Sequence, residues 1–282
     1  MDKLGLIAGG GRLPVEVAEF CERAGRPLFV VRLKGFAGED LARFEGVDAG
    51  MAEIGKILGA LKGAGCHSVC LAGNVTRPDF ASLKPDLKGL SVIPGAIAAA
   101  RQGDDALLRY LLGMFEREGF TAEGASEVMA ELTLGCGALG ARSPDRHARA
   151  DVAKAIEAAR ASGRLDIGQG AVVCDGLVLA VEAQEGTDAM LERVATLRPE
   201  IRGSKASPRG VLAKVPKPIQ ERRVDLPTIG VRTVELAFEA GLAGIAGEAG
   251  GLIVLDREAV AAAADRLGLF VWGVDPAAPE QA

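Results

Sequence analysis

The stretch Val211 to Gly230, VLAKVPKPIQERRVDLPTIG, carries Lys214, Lys217, Arg222 and Arg223 and sets Asp225 between Arg223 and Pro227. Pro216, Pro218 and Pro227 fix their own φ and remove backbone donors. A stiff loop rather than a helix is therefore expected after the short apolar run that opens the stretch. Such a set suits an anionic substrate that carries a metal. Cations and metal offset phosphate charge, while a carboxylate ligates the metal or takes a proton from water. A solvated basic turn has the same composition, so the rest of the chain must decide between the two.

A second anion site is suggested near the N-terminus. The apolar run Lys3 to Ala8 ends in Gly9-Gly10-Gly11-Arg12-Leu13-Pro14, ahead of an amphipathic pattern from Pro14 to about Ala24. Strand, glycine turn and helix point the backbone N–H groups of Gly10, Gly11 and Arg12 at an anion. The dinucleotide fingerprint wants a small residue where Pro14 stands and an acid after the second strand, Pro27 to Leu33, which runs into Arg32 and Lys34 instead. NAD is disfavoured. A phosphate or diphosphate, or a turn made for packing alone, remains. The third strand, His67 to Ala72, ends in Gly73-Asn74-Val75-Thr76-Arg77-Pro78. In a parallel sheet with the first and third strands adjacent, Asn74, Thr76 and Arg77 would lie near the glycine turn.

Acids at strand and helix ends are the candidate metal ligands. Gly103-Asp104-Asp105 opens the helix Ala106 to Arg117, after a connecting segment Phe80 to Pro94 and a short helix Ala96 to Arg101. Two acids there either serve the helix terminus or hold magnesium beside a diphosphate. In the second half, strands Ala171 to Cys174 and Leu177 to Glu182 flank Asp175-Gly176, a hairpin signal. Glu182 ends the second strand, and Thr187 can cap a helix from Asp188 to Leu197. Further on come a helix at Val231 to Ala240, a strand at Gly251 to Leu255, a helix at Arg257 to Leu267 and a strand at Phe270 to Val274. Cys66, His67 and Cys70 have the wrong spacing for a zinc knuckle, and His147, alone on a charged helix, reads as solvated.

Composition narrows the classes. A net charge of −5 over 282 residues offers no pervasive basic surface for nucleic acid. Five cysteines in mostly apolar surroundings fit a reducing cytoplasm, and no apolar run reaches the ~20 residues of a spanning helix. With 49% hydrophobic but only 4% aromatic residues, Ala, Val, Leu and Gly must fill the core.

Several of these stretches together resemble the LpxI-type UDP-2,3-diacylglucosamine pyrophosphatase family. The carriers are GLIAGGGRLP at 5–14, GNVTRP at 73–78, GDDALLR at 103–109, DIGQGAVV at 166–173, LAVEAQEGTDAM at 179–190 and AKVPKPIQERRVDLPTIG at 213–230. The resemblance implies an α/β protein with a Rossmann-like N-terminal domain at 1–133 and a helical linker at 134–165. A distinct α/β C-terminal domain at 166–276 carries the catalytic loop, and a tail follows at 277–282. It implies magnesium-dependent hydrolysis of UDP-2,3-diacylglucosamine to 2,3-diacylglucosamine 1-phosphate and UMP in lipid A synthesis, with water directed at the sugar-side phosphorus. Asp225 is carried over as the essential acid, as metal ligand or as base, with Lys214 beside it. Glu221 departs from the family's Asp ahead of Arg-x-Asp.

The remaining expectations follow. Asp104, Asp105 and Glu182 join Asp225 as metal candidates. Gly10, Gly11, Arg12, Asn74, Thr76, Arg77, Gln169, Thr187, Asp188, Lys217 and Thr228 are the substrate-binding candidates. The acyl chains are expected in the interdomain cleft. The protein is expected in the cytoplasm, peripheral at the inner membrane, and a homodimer is compatible with the sequence. Because no dense metal cage is visible, a non-catalytic nucleotide-sugar or lipid carrier or sensor is the alternative.

Overall fold

The computed structural model describes residues 2–76, 79–80, 82–218, 221–223 and 225–277. It divides into two compact units, residues 1–130 with 223–225, and residues 131–222 with 226–282.

The first unit contains β1 (Leu4–Ala8), α1 (Leu13–Arg23), β2 (Leu28–Leu33), β3 (Gly46–Ala49) and α2 (Ile54–Gly63). β4 (Ser68–Ala72), α3 (Leu87–Ala100), α4 (Asp104–Arg117), β5 (Thr121–Ala122) and α5 (Ala125–Val128) follow. Its five strands are parallel in the order β3-β2-β1-β4-β5. β1 is buried along its whole length, as an apolar run covered on both faces must be. The expected neighbours are in place: Leu4 lies opposite Ser68 and Ala8 opposite Ala72. Strand order reverses between β1 and β4, so the loops after these two strands share the position where open sheets bind ligands.

Helix α3 differs from expectation, because Pro94 lies inside one continuous helix instead of ahead of a short one. Proline in a helix interior costs about 3 kcal/mol. The N-cap Asp86, whose Oδ1 accepts from Gly89 N at 2.7 Å, works against that cost. So does packing: Gly89 sits so near the Ala52 carbonyl that a Cβ would approach it to 2.0 Å, and Gly95 lies against Tyr110. The Tyr110 hydroxyl donates to Val92 O at 3.1 Å, tying α4 to α3.

The second unit contains β6 (Gly137–Ala138), α6 (Arg146–Arg164), β7 (Gly170–Cys174), β8 (Leu177–Val181), α7 (Gly186–Ala195) and α8 (Pro199–Arg202). The short β9 (Gly203–Ser204) and β10 (Ser207–Pro208) precede β11 (Val211–Lys214), β12 (Thr228–Ile229) and α9 (Val231–Glu239). β13 (Gly244–Glu248), β14 (Ile253–Val254), α10 (Arg257–Leu267) and β15 (Phe270–Val274) complete it. Its main sheet is mixed, in the order β6-β15-β13-β11-β7-β8. The two-residue side-chain period sorts the sheet into faces. Val172, Leu212, Ile245 and Val271 meet α7, α9 and α10, while Ala171, Val173, Val211 and Ala213 meet Val152, Ala155, Ile156 and Ala159 of α6.

Residues 134–165, expected as a linker, are part of this second unit. The apolar stripe of α6 covers one sheet face, and β6 extends the sheet by pairing with β15. The strand β13 was not expected, because GIAGE has a single β-branched residue, Ile245, and no aromatic one to mark a strand. Its glycines are steric requirements. A Cβ on Gly244 would lie 2.5 Å from the Phe270 ring, and one on Gly247 would lie 2.4 Å from Leu252. The Asp175-Gly176 hairpin is present, with φ of 51° and 75° in the sense that matches strand twist. Among the described residues, no helix is long and apolar enough to cross a membrane.

Candidate active site

In the first unit the glycine turn serves packing first. Gly9 N donates to Ala72 O, and Gly10 and Asn74 exchange two backbone hydrogen bonds of 2.8 Å each. A Cβ on Gly9 would come within 2.8 Å of Asn74 O, and one on Gly73 within 2.6 Å of Gly10 O. The Gly10 N–H, one of those expected to face an anion, is used by Asn74. Gly11, at φ 85°, is needed for its backbone conformation. The Arg12 guanidinium turns along α1 to Glu19 at 3.0 Å and Glu16 at 3.8 Å. Arg77 lies outside the described residues.

Beside this loop pair is a cavity of about 410 Å³, lined mainly by apolar side chains of the sheet, α2, α3 and α4. Ile57, Leu71, Val92, Leu108, Met114 and Phe115 are among them. The polar positions on its wall are few: Asn74, Thr76, Asp104 and Asp225. Asp104 opens α4, and Asp225 comes from the short piece 223–225 that belongs to this unit. Arg223 pins that piece through an ion pair of 2.8 Å with Glu116. The neighbouring acids of Gly103-Asp104-Asp105 divide. Asp105 is buried and ion-pairs with Arg109 at 2.8 Å, whereas Asp104 lines the cavity. Two carboxylates on one cavity are the hard oxygen donors that magnesium prefers, and Asp104 and Asp225 fit that ion.

The second unit has a polar cluster of its own. Strand alternation puts Lys214 on the same sheet face as Leu212, under the first turn of α7. Its Nζ donates to Thr187 Oγ1 at 2.7 Å and to Thr228 O at 3.1 Å. Thr187 Oγ1 in turn donates to Glu182 Oε1 at 2.8 Å, a use of the hydroxyl other than the expected helix cap. Lys214 and Glu182 are both buried, and Gly170 separates them in the sheet. A Cβ on Gly170 would stand 2.5 Å from Glu182 Oε2, and one on Gly168 would stand 2.0 Å from Glu182 O. The two glycines of DIGQG are therefore the space into which Glu182 folds. Glu182 Oε2 has no hydrogen-bond partner among the described residues. Gln169 takes part through its carbonyl, which accepts from Val215 N at 3.0 Å.

The loop after Lys214 spends much of its positive charge on anchoring. Lys217 ion-pairs with Asp166 at 2.7 Å, and Arg222 meets the buried Glu248 at 2.9 Å, which also holds Arg160 at 3.2 Å. Asp188 faces Arg232 at 2.6 Å on the surface, away from the Thr187 cluster. The cations of this stretch are thus, in good part, members of ion pairs.

One grouping was missed. His147, Asp151 and Asp175 each offer one ligand atom within 4.8 Å of the others and could hold a metal ion. The i, i+4 spacing of His147 and Asp151 on α6 was the available signal. Their atoms already have other uses. Asp151 accepts from Asp175 N at 2.9 Å and Gly176 N at 2.8 Å, closing the hairpin, while Asp175 meets His147 at 2.8 Å and also Arg209. The Asp175 contact raises the His147 pKa. Burial raises the pKa of both the Cys66 and Cys70 thiols, Cys70 to about 12, which disfavours their thiolates.

Comparison with known proteins matches both units. The LpxI N-terminal domain family covers residues 3–132 and the LpxI C-terminal domain family residues 135–272. A curated relative from Caulobacter vibrioides (strain ATCC 19089 / CIP 103742 / CB 15), "UDP-2,3-diacylglucosamine pyrophosphatase LpxI", is 65% identical over 276 residues, covering 98% of this chain and 99% of its own.

Proposed function

The chain belongs to the LpxI family, and on that premise we propose that it is a hydrolase acting on the pyrophosphate of UDP-2,3-diacylglucosamine in lipid A biosynthesis. The observation that carries the reading is the cavity of the first unit, where Asp104 and Asp225 stand on a mainly apolar wall. An amphiphile with an acyl chain and a charged, metal-binding head matches that combination, which a free nucleotide sugar would not need.

The step is a hydrolysis. A water oxygen bonds to the sugar-side phosphorus, and the bridging oxygen leaves with UMP. The two hydrogens of water are shared between the product phosphates and solvent. Asp104 and Asp225 would hold a magnesium ion, which would supply charge neutralisation on the diphosphate and make water more acidic. Asp225 also accepts a hydrogen bond from the attacking water, which orients it. Lys214, held within the second unit by Thr187 and the Thr228 carbonyl, is a fixed positive charge of the kind that phosphate chemistry uses. Thr76 and Asn74 hydrogen-bond the head group at the cavity wall.

The test is hydrolysis in ¹⁸O-labelled water with wild type and Asp225→Asn. Expected are label in the lipid phosphate, UMP released in proportion to enzyme, and at least a ~10³-fold loss in the variant with its fold retained. Stoichiometric retention of intact substrate by wild type without UMP would replace the hydrolase with a carrier.

A further inference from the structure

Helix α3 is apolar on two opposite faces. One face, through Gly89, Val92, Ile93 and Ala96, forms a wall of the cavity. On the other, Leu87, Leu90, Pro94 and Ala98 recur at helical spacing and all face solvent. Leu87 is 89% exposed and Leu90 57% exposed, although leucines on a helix ordinarily face a core. Only one helix thickness therefore separates the cavity from an outer apolar stripe.

The charge around that stripe is opposite to that of the chain. The stretch that carries it, residues 84–101, holds Lys84, Lys88 and Arg101, all exposed, against Asp86 alone, in a chain of net charge −5. Glu118 holds Lys62 and Lys88 together at 2.7 Å each, and those two contacts lower its pKa to about 2, so the link persists at neutral pH. Lys84 and Lys88 are exposed at the start of the stripe. Leucines flanked by lysines on one helix face are the pattern of an element that lies in a bilayer surface.

We propose that the outer face of α3, centred on Leu87 and Leu90 and flanked by Lys84 and Lys88, docks the protein on an anionic lipid surface. This places the cavity behind α3 next to the membrane from which a diacylated substrate must be drawn, and it rests on the hydrolase reading above. The leucines enter the acyl boundary, and the lysines meet the head-group phosphates.

Flotation of the full chain with phosphatidylethanolamine–phosphatidylglycerol vesicles, and with phosphatidylcholine vesicles, tests the proposal. Wild type is expected to float with the anionic vesicles only. Leu87→Gln/Leu90→Gln is expected to lower the bound fraction roughly tenfold, and Lys84→Glu to lower it about fivefold or more. Hydrolysis of detergent-dispersed substrate by the leucine variant stays within about twofold of wild type, because neither leucine lines the cavity. Equal flotation of wild type and the leucine variant, or none by wild type, overturns the docking face. A wild-type dimer in sedimentation that the leucine substitutions dissolve also overturns it, assigning the stripe to a second copy. Turnover in detergent without flotation removes the docking face and leaves the hydrolase. Flotation without turnover in detergent does the reverse.

Discussion

Lys214 Nζ donates to Thr187 Oγ1 at 2.7 Å, and this contact fixes where the threonine proton goes. An ammonium only donates and a carboxylate only accepts, so the hydroxyl must direct its single proton to Glu182 Oε1, 2.8 Å away. Thr187→Val keeps the shape and removes both bonds. Unfolding by urea should show a loss of about 1–3 kcal/mol, the range for stranding buried polar partners. Turnover should fall at least tenfold, with a smaller change in KM, as Lys214 loses its position. Thr187→Ser should restore most of both. A valine variant with wild-type turnover would leave Lys214 without a catalytic part.

Gly170 and Gly59 should respond to alanine with opposite signs. At Gly170 the new methyl would stand 2.5 Å from Glu182 Oε2, so the carboxylate has to move and the cluster opens. A destabilisation of about 1–3 kcal/mol is expected, together with reduced turnover. Gly59 lies inside α2 with nothing near its Cβ position. Alanine there should stabilise by ~0.5–1 kcal/mol through helix propensity, with activity unchanged. Thermal unfolding of the two variants reads the difference directly.

Asp104 and Asp105 are adjacent in sequence but differ in surroundings. Asp104→Asn should raise the magnesium concentration needed for half-maximal hydrolysis roughly tenfold, since one of two cavity carboxylates is lost. Asp105→Asn should leave the magnesium titration unchanged and lower the unfolding midpoint, because its partner is Arg109. A magnesium curve moved by Asp105→Asn and not by Asp104→Asn would reverse the assignment.

The Asp175 carboxylate beside His147 raises the imidazole pKa above its ordinary value of 6.5. The imidazolium is thus favoured in the folded state. Its contribution to stability is fully present below the ordinary value and is lost as pH rises through the raised one. An NMR titration should find the His147 midpoint above 6.5, and Asp175→Asn should bring it down. Zinc that lowers the midpoint, competing with protons for the imidazole, would show that the His147–Asp151–Asp175 group takes a metal.

Much of the fold was legible because it depends on short-range pattern. The apolar runs of β1 and β4, the Asp175-Gly176 turn and the stripe of α6 each state their conformation within a few residues. Where packing decides, local signals were silent or misleading. β13 is a central strand made largely of glycine and alanine because Phe270 and Leu252 occupy the space its side chains would fill. Pro94 stays helical because the contacts of α3 with α4 and the Ala52 carbonyl outweigh its broken hydrogen bond.

The candidate site divides in the same way. Sequence by itself determined which chemical groups are available: a carboxylate in a stiff loop, two acids at a helix start, and a lysine at the end of an apolar strand. It could not say which charges meet. Tertiary structure turned Lys217, Arg222 and Arg223 into anchors for Asp166, Glu248 and Glu116, and Asp105 into a partner for Arg109. Only Asp104 of its pair was left on the cavity wall with Asp225. Residue type fixes the charge and hydrogen-bonding capacity of a side chain. The partner that uses it is chosen by distances between segments far apart in the chain, and those exist only once the sheets have formed.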